Sequence, residues 1–477
     1  MDSKQIISKF NQGVNWNAIV YIFHKTTSAI ATILFFQYLA PQAFSAWSNI
    51  NSIIFLLLLW TDFGFRKSIP LFLPHFAQNK QSHRQFTIYT MLFQTLALII
   101  TTPIFLFTIQ FLMKGFIKNI CPMIIMLAVL IYVIEGCIGV VKLIYHAHFW
   151  QKQFNLLISV MTALETIANL ITIFIFQMDS HKLFHAILLT KLFTGLGILA
   201  AAIIMLPKFY QEMTYTSSKN TNSLWWSFTK HSALMWGSNG IKSLTERNFL
   251  LPVFTHILGY EAGNFFKIAS DGALLFYRSV IKTIGTTDTS LLAYTDMIQD
   301  GKTSLQTAFK KLISKIAGLC LPLFGILLFL LLQLIHNNHV DHMIFKLFFI
   351  MVLGYLLEAI FSPYERVLEI KREYVRLFIA YSPYCVMLII LFLFNTISYI
   401  GLINSLLLIH GVRLVSVFIM VWFARKRYGL LFPIMLISSL FLAFTLLAYT
   451  LHLIIAYYMH EGVSEYIKVL SKYIFKI

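Results

Sequence analysis

The stretch Gly237–Phe254, GSNGIKSLTERNFLLPVF, sits inside a segment near 224–256 that reads as a membrane-spanning helix, yet it carries Lys242, Glu246 and Arg247. A charged side chain at the bilayer centre costs about 2.5–3.5 kcal/mol on insertion scales. Three in one helix therefore need a partner or a water-filled space to face. Their spacing narrows the choice. Asn239, Lys242, Ser243, Glu246 and Arg247 follow i, i+3, i+4, i+7, i+8, which places all five on one face of a continuous helix.

Composition supplies the setting. The chain has 477 residues, 58% hydrophobic and 12% charged, with 45 Phe and a mean hydropathy of +0.76. Soluble domains carry roughly 25% charged residues, so this is an all-α integral membrane protein. Repeated apolar runs of about 20 residues exclude a membrane barrel, whose strands are short and alternating. Helices are expected near 14–39, 43–64, 86–113, 120–145, 154–177, 183–206, 224–256, 262–287, 303–334, 340–361, 374–396, 400–424 and 430–459. Met1–Gln12 is polar and runs into the first of these, which is expected to stay as an anchor.

The net charge of +18 is laid out as topology, and nucleic acid is not an expected partner. Basic residues gather in alternate connections: Arg66, Lys67, Lys80 and Arg84; Lys208 and Lys219; Lys302, Lys310 and Lys311; Arg366, Lys371, Arg372 and Arg376; Arg425, Lys426 and Arg427. The intervening connections carry almost none. That asymmetry puts the N-terminus in the cytoplasm. Cys121, Cys137, Cys320 and Cys385 show no paired spacing and read as small apolar residues.

The main polar interruption, PKFYQEMTYTSSKNTN at Pro207–Asn222, follows six helices. LAPQAFSAW at Leu39–Trp47 aligns with LGYEAGNFF at Leu258–Phe266, offset 219, and YVIE at Tyr132–Glu135 aligns with YLLE at Tyr355–Glu358, offset 223. The expected organisation is a six-helix bundle over 1–206, a cytoplasmic linker over 207–222, a second six-helix bundle over 223–427 and an added helical segment over 428–477. Six helices per half make the repeat parallel, with its pseudo-two-fold axis along the membrane normal. Internal repeats of this kind are common in secondary transporters.

The polar stripes point to the site. In helix one, Asn17, Tyr21, His24, Lys25, Ser28 and Thr32 share a face; in helix eight, Lys267, Asp271, Arg278 and Lys282 do. These faces either line an open cationic cleft or close as i, i+4 pairs, Lys242 with Glu246 and Lys267 with Asp271. An open cationic cleft suits an anionic cargo, and Arg suits phosphate because its planar fork donates two hydrogen bonds at once. Glu135, Glu165 and Glu358 lie inside other helices and, with Glu246 and Asp271, are candidates to carry a coupling proton or Na+; structural pairing is the competing reading for each. HNNHVDH at His336–His342 offers metal-ligating types but falls in a short outer connection, so no metal site is expected. No phosphate-binding loop, HExxH or GxSxG occurs, no connection is long enough for a sizeable extramembrane domain, and no enzyme activity or cofactor is expected.

The run Leu39–Phe72, LAPQAFSAWSNINSIIFLLLLWTDFGFRKSIPLF, and the run Asn248–Ala269, NFLLPVFTHILGYEAGNFFKIA, resemble helices one to two and seven to eight of Wzx-type lipid-linked oligosaccharide flippases. The resemblance covers most of residues 10–430. TSLLAYTDM at Thr289–Met297 departs from it by lacking a proline after helix eight. The superfamily also holds lipid II flippases and multidrug exporters, which stay as alternatives, with a membrane-embedded polymerase or transferase behind them. The resemblance implies two bundles around a cation-lined cleft in a bacterial inner membrane. The cargo would be a polyprenyl-diphosphate oligosaccharide such as an O-antigen unit of lipopolysaccharide, flipped to the periplasmic leaflet by ion-coupled alternating access. A polysaccharide polymerase is the further partner such a cargo implies. Its diphosphate would meet Lys25, Lys242, Arg247, Lys267 and Arg278, with Asn239 and His24 beside them.

Overall fold

The computed structural model describes residues 23, 26–76, 80–113, 122–147, 151–176, 178–211, 222–275, 301–336, 343–393, 396–430 and 434–458. Every element among them is a helix. They run α1 (26–38), α2 (Pro41–Trp60), α3 (Phe65–Phe76), α4 (Lys80–Met113), α5 (Pro122–Ala147), α6 (Gln151–Phe174), α7 (Ser180–Gln211), α8 (Asn222–Ser243), α9 (Arg247–Leu258), α10 (260–275), α11 (Gly301–His336), α12 (Met343–Ile370), α13 (Tyr374–Leu393), α14 (Thr396–Tyr428) and α15 (Ile434–Tyr458). Among the described residues, nine helices are long and apolar enough to cross a membrane. The chain is a multi-pass membrane protein.

By packing, the chain forms two compact units. One comprises Met1–Ala31 and Tyr38–Asn264, the other Thr32–Gln37 and Phe265–Ile477. α8 and α9, the seventh expected helix, pack with α2, α3 and α4 in the first unit, and Thr32–Gln37 of α1 belongs to the second. Asn49 of α2 donates to Thr255 of α9 at 3.2 Å, and the Trp60 indole donates to Ser243 of α8 at 2.8 Å. Lipid tails are as apolar as leucine, so such interhelical hydrogen bonds and close packing hold membrane helices together more than apolar burial does.

The second expected helix is shorter than 43–64. It begins at Pro41, whose fixed φ suits a first helical turn, and stops at Trp60. A turn follows in which Phe63 and Gly64 take φ of 48° and 77°. Gly64 is required there twice over: the backbone is left-handed, and a Cβ would lie 2.2 Å from the Ser232 carbonyl oxygen.

The basic stretch after that turn is helical, although its sequence reads as a connection. In α3, Ile69, Phe72, Leu73 and Phe76 are buried, spaced i, i+3, i+4, i+7. They build an aromatic core with Phe86 and Phe228. Phe76 stacks on Phe86 with ring centroids 4.5 Å apart, and Phe86 meets Phe228 edge-on at 5.0 Å. Each such pair is worth about 0.5–1.5 kcal/mol beyond its burial.

In the second unit, α13 packs on α14, α12 on α14 and α11 on α15. Phe324 of α11 meets Phe441 of α15 at 4.9 Å, so the thirteenth expected segment is a packed helix. The tail 461–477 lies outside the described residues.

Candidate functional site

Helix seven is not continuous. Where one helix over 224–256 was expected, α8 ends at Ser243 and α9 begins at Arg247. The residues between form tight turns: the amides of Leu244, Thr245 and Glu246 reach the carbonyls of Ile241, Lys242 and Ser243 at 3.0–3.3 Å. Hydroxyls add to these turns. Ser243 donates to Gly240 O at 2.7 Å and Thr245 to Lys242 O at 2.9 Å.

The break corrects the one-face reading of the stripe. Asn239 and Lys242 belong to α8 and Arg247 to α9, so they no longer share one helical register. The i, i+4 relation drawn between Lys242 and Glu246 spans the break as well. Two of the charges gain a local explanation. Lys242 stands in the last turn of α8, facing the negative end of a helix dipole, and Glu246 occupies the N-cap of α9, at a positive end. Arg247, at the first position of α9, has the sign that the dipole disfavours. Asn239, Lys242, Glu246 and Arg247 are all half-buried.

Helix eight resolves the other way. Lys267, buried in α10, is ion-paired with Asp271, and Thr32 of α1 donates to the same carboxylate at 3.1 Å. The closed pair, one of the two readings the spacing left open, is what forms. His24, Lys25, Arg278 and Lys282 lie outside the described residues, as do His339, Asp341 and His342. Among the described residues no cluster of metal-ligating side chains occurs.

The candidate coupling carboxylates fall in different surroundings. Glu358 of α12 accepts from Arg413 of α14 at 3.2 Å, with side chains 14% and 7% exposed. Tyr355 roofs this pair, with the Arg413 guanidinium 5.5 Å from its ring and the His410 ring edge-on at 5.6 Å. Glu165 of α6 accepts from Thr194 of α7 at 3.4 Å and feels the opposing charges of Lys191 and Glu135. Lys191 in turn donates to Asn51 of α2 at 2.6 Å and lies 5.2 Å from the Phe55 ring. Asn51, Glu135, Glu165, Lys191 and Thr194 thus make a polar constellation inside the first unit.

Lys191, His410 and Arg413 are not among the residues that the polar stripes single out. The rule applied to helix seven, that an ionisable residue within an apolar run needs a reason, finds all three in the expected helices 183–206 and 400–424.

Outside these helices, Asp62 in the turn before α3 is buried and held close to Arg66. The Arg66 amide donates to Oδ1 at 3.1 Å, and Nε stands 3.8 Å from Oδ2. Burial outweighs that support and raises the carboxyl from 3.8 to about 6.

No family model matches the chain, and no curated protein matches it in sequence. Solved structures do match its fold. The lipid II flippase MurJ in an inward closed conformation superposes with a TM-score of 0.65 at 13% identity, over 92% of this chain and 92% of that one. An outward-facing multidrug resistance MATE family transporter of the MOP superfamily gives 0.62 at 14% identity, over 87% of this chain and 95% of that one. A MOP superfamily transporter from Pyrococcus furiosus, described as having a binding pocket of reverse polarity, gives 0.59 at 13% identity, over 87% and 95%. The architecture is therefore the two-bundle, all-α membrane fold shared by these proteins. At such identities the likeness is one of fold.

Proposed function

We propose that the protein flips a polyprenyl-diphosphate-linked oligosaccharide across the membrane by ion-coupled alternating access. The observation that carries this reading is the broken seventh helix, which sets Lys242 and Arg247 on either side of three non-helical residues in a multi-pass chain. Transporters hold substrates at such discontinuous helices, where helix ends and unwound backbone supply polarity that a continuous helix cannot. A basic pair at the break favours an anionic cargo, and a lipid-anchored diphosphate can keep its tail in the bilayer. The MurJ-like fold supports a lipid-linked cargo.

Glu165 is the preferred coupling group. Its hydrogen bond is long, and Glu135 opposes what Lys191 supplies, whereas Glu358 and Asp271 are each held by a cation. A carboxylate so poised exchanges a proton or Na+ with less rearrangement than one locked in an ion pair.

The test is leaflet accessibility in proteoliposomes. A polyprenyl-diphosphate oligosaccharide is enclosed, and its sugars are followed outside with a lectin. Exposure with wild type, abolished by Arg247→Glu at normal protein insertion, is the expected result. No exposure under any imposed ion gradient overturns the reading. The Lys267–Asp271 pair removes one cation from the expected cleft and favours a second reading, a multidrug exporter. Gradient-driven efflux of a lipophilic cation in place of the glycolipid would select it.

A further inference from the structure

We infer that the end of the second unit where α13 begins and α14 finishes is a binding site for the phosphodiester headgroup of an anionic phospholipid. It is separate from the transported cargo. Residues 365–376 and 425–427 bring seven cations and three carboxylates to this end. The carboxylates are already engaged. Glu365 accepts the Tyr381 hydroxyl at 2.6 Å, and Glu369 accepts from Arg366 at 3.2 Å. Glu373 accepts the Tyr428 hydroxyl at 2.7 Å, pairs with Arg376 and stands 3.7 Å from Arg427. These contacts tie the α12–α13 turn to the end of α14. Arg372, Arg425 and Lys426 remain exposed, and among the described residues none of them pairs with a carboxylate.

Two bland readings cover part of this. Cations in the last turn of α14 complement its dipole, and basic residues beside a span are ordinary topology. What distinguishes this end is that the charges meet a lipid-facing apolar surface directly. On α14, Val415, Phe418 and Trp422 are 50%, 59% and 56% exposed at i, i+3, i+7, an apolar track that ends at Arg425 and Lys426. The Lys426 ammonium lies 5.2 Å from the Trp422 ring centroid. On α13, Val375 and Ile379, 72% and 48% exposed, lie one helical turn apart beside the α12–α13 turn that carries Arg372. An apolar track capped by cations has the shape of a phospholipid: acyl chains along the helix, phosphate at the basic end. The surplus of cations selects an anionic headgroup over a zwitterionic one, because each Lys or Arg near an anionic leaflet adds attraction that a neutral surface does not. Trp422 fits the interfacial depth such a site requires.

The test uses the full chain in nanodiscs of phosphatidylcholine, with or without phosphatidylglycerol, and counts retained lipids by native mass spectrometry alongside thermal unfolding. Wild type is expected to retain phosphatidylglycerol preferentially and to melt higher in its presence. The triple variant R372Q/R425Q/K426Q should lose that retention by about a hundredfold. The charge-keeping variant R372K/R425K/K426R should preserve it. Trp422→Ala keeps every charge and should weaken retention partially, so the assignment stays testable even if the neutralised protein folds poorly. Inorganic phosphate added to phosphatidylcholine discs should leave the melting curve unchanged. Equal retention by wild type and the neutralised variant, no preference in wild type, or a stabilisation that phosphate reproduces would each overturn the assignment.

Discussion

Arg413 on α14 and Glu358 on α12 form an ion pair of 3.2 Å in the interior of the second unit, linking two helices through residues 55 positions apart in the chain. Neither charge could sit there alone. Taking one partner away from such a pair costs about 3–5 kcal/mol, while replacing both with apolar groups of similar volume is close to neutral. Arg413→Met should therefore lower thermal stability sharply, and adding Glu358→Leu should recover most of the loss. Melting curves of the two variants in the same lipid decide it: equal loss in both would mean the pair is not what holds α12 to α14.

Glycine is demanded at position 64. Gly64→Ala adds the backbone cost of a left-handed residue, about 1–3 kcal/mol, to a collision with the Ser232 carbonyl. The expected result is a lower melting temperature and a weakened contact between α3 and α8, read by faster amide exchange in 65–76. A change within about 0.5 kcal/mol of wild type, the range of ordinary surface substitutions, would show that the turn relaxes freely.

Asp62 should give the protein a stability that falls as pH rises. Its carboxyl stands at about 6 in the folded chain against 3.8 for the ordinary group, so folding tightens its hold on a proton. The favourable contribution is complete below pH 3.8 and is lost as pH climbs through about 6, an effect of about 3 kcal/mol. Asp62→Asn should flatten the melting temperature across that window. An unchanged slope in the variant would assign the dependence to another group.

Neutralising Glu165 separates coupling from binding. Glu165→Gln keeps an acceptor for Thr194 but carries no charge and cannot exchange a proton. Movement driven by an ion gradient should fall by about a hundredfold or more, the usual range for losing a positioned proton carrier, while gradient-free exchange of cargo persists. Loss of both activities together, with normal insertion, would return Glu165 to a structural role.

Much of the fold was legible because apolar runs of membrane length are a strong, local signal. Helices α5, α6 and α7 appear within a few residues of their expected bounds for that reason. What was hidden depends on tertiary context. α3 reads as a basic connection because Arg66, Lys67, Pro70 and Pro74 mask the spacing of Ile69, Phe72, Leu73 and Phe76. The break after Ser243 carries no glycine or proline at 244–246; hydroxyls and the Trp60 indole stabilise it, and partners 183 residues away leave no mark in a local window. The stripe arithmetic assumed one unbroken helix, so it joined residues that the backbone separates. Spacing offered the Lys267–Asp271 pair as one of two readings, since both lie within one regular helix. It could not find Arg413 for Glu358, because only folding brings α12 and α14 together.

The interruption at 244–246 means that part of the polarity of this region belongs to no side chain. The last carbonyls of α8 are taken up by the amides of 244–246 and the Ser243 hydroxyl, so the backbone polarity that the restart adds is the amide end of α9, whatever residues flank it. Exchange of Lys242, Glu246 and Arg247 for uncharged residues would leave that inscription intact. Relatives with quite different residues here could thus retain a common capacity to hold polar cargo, and comparing them by charge alone would miss what they inherit.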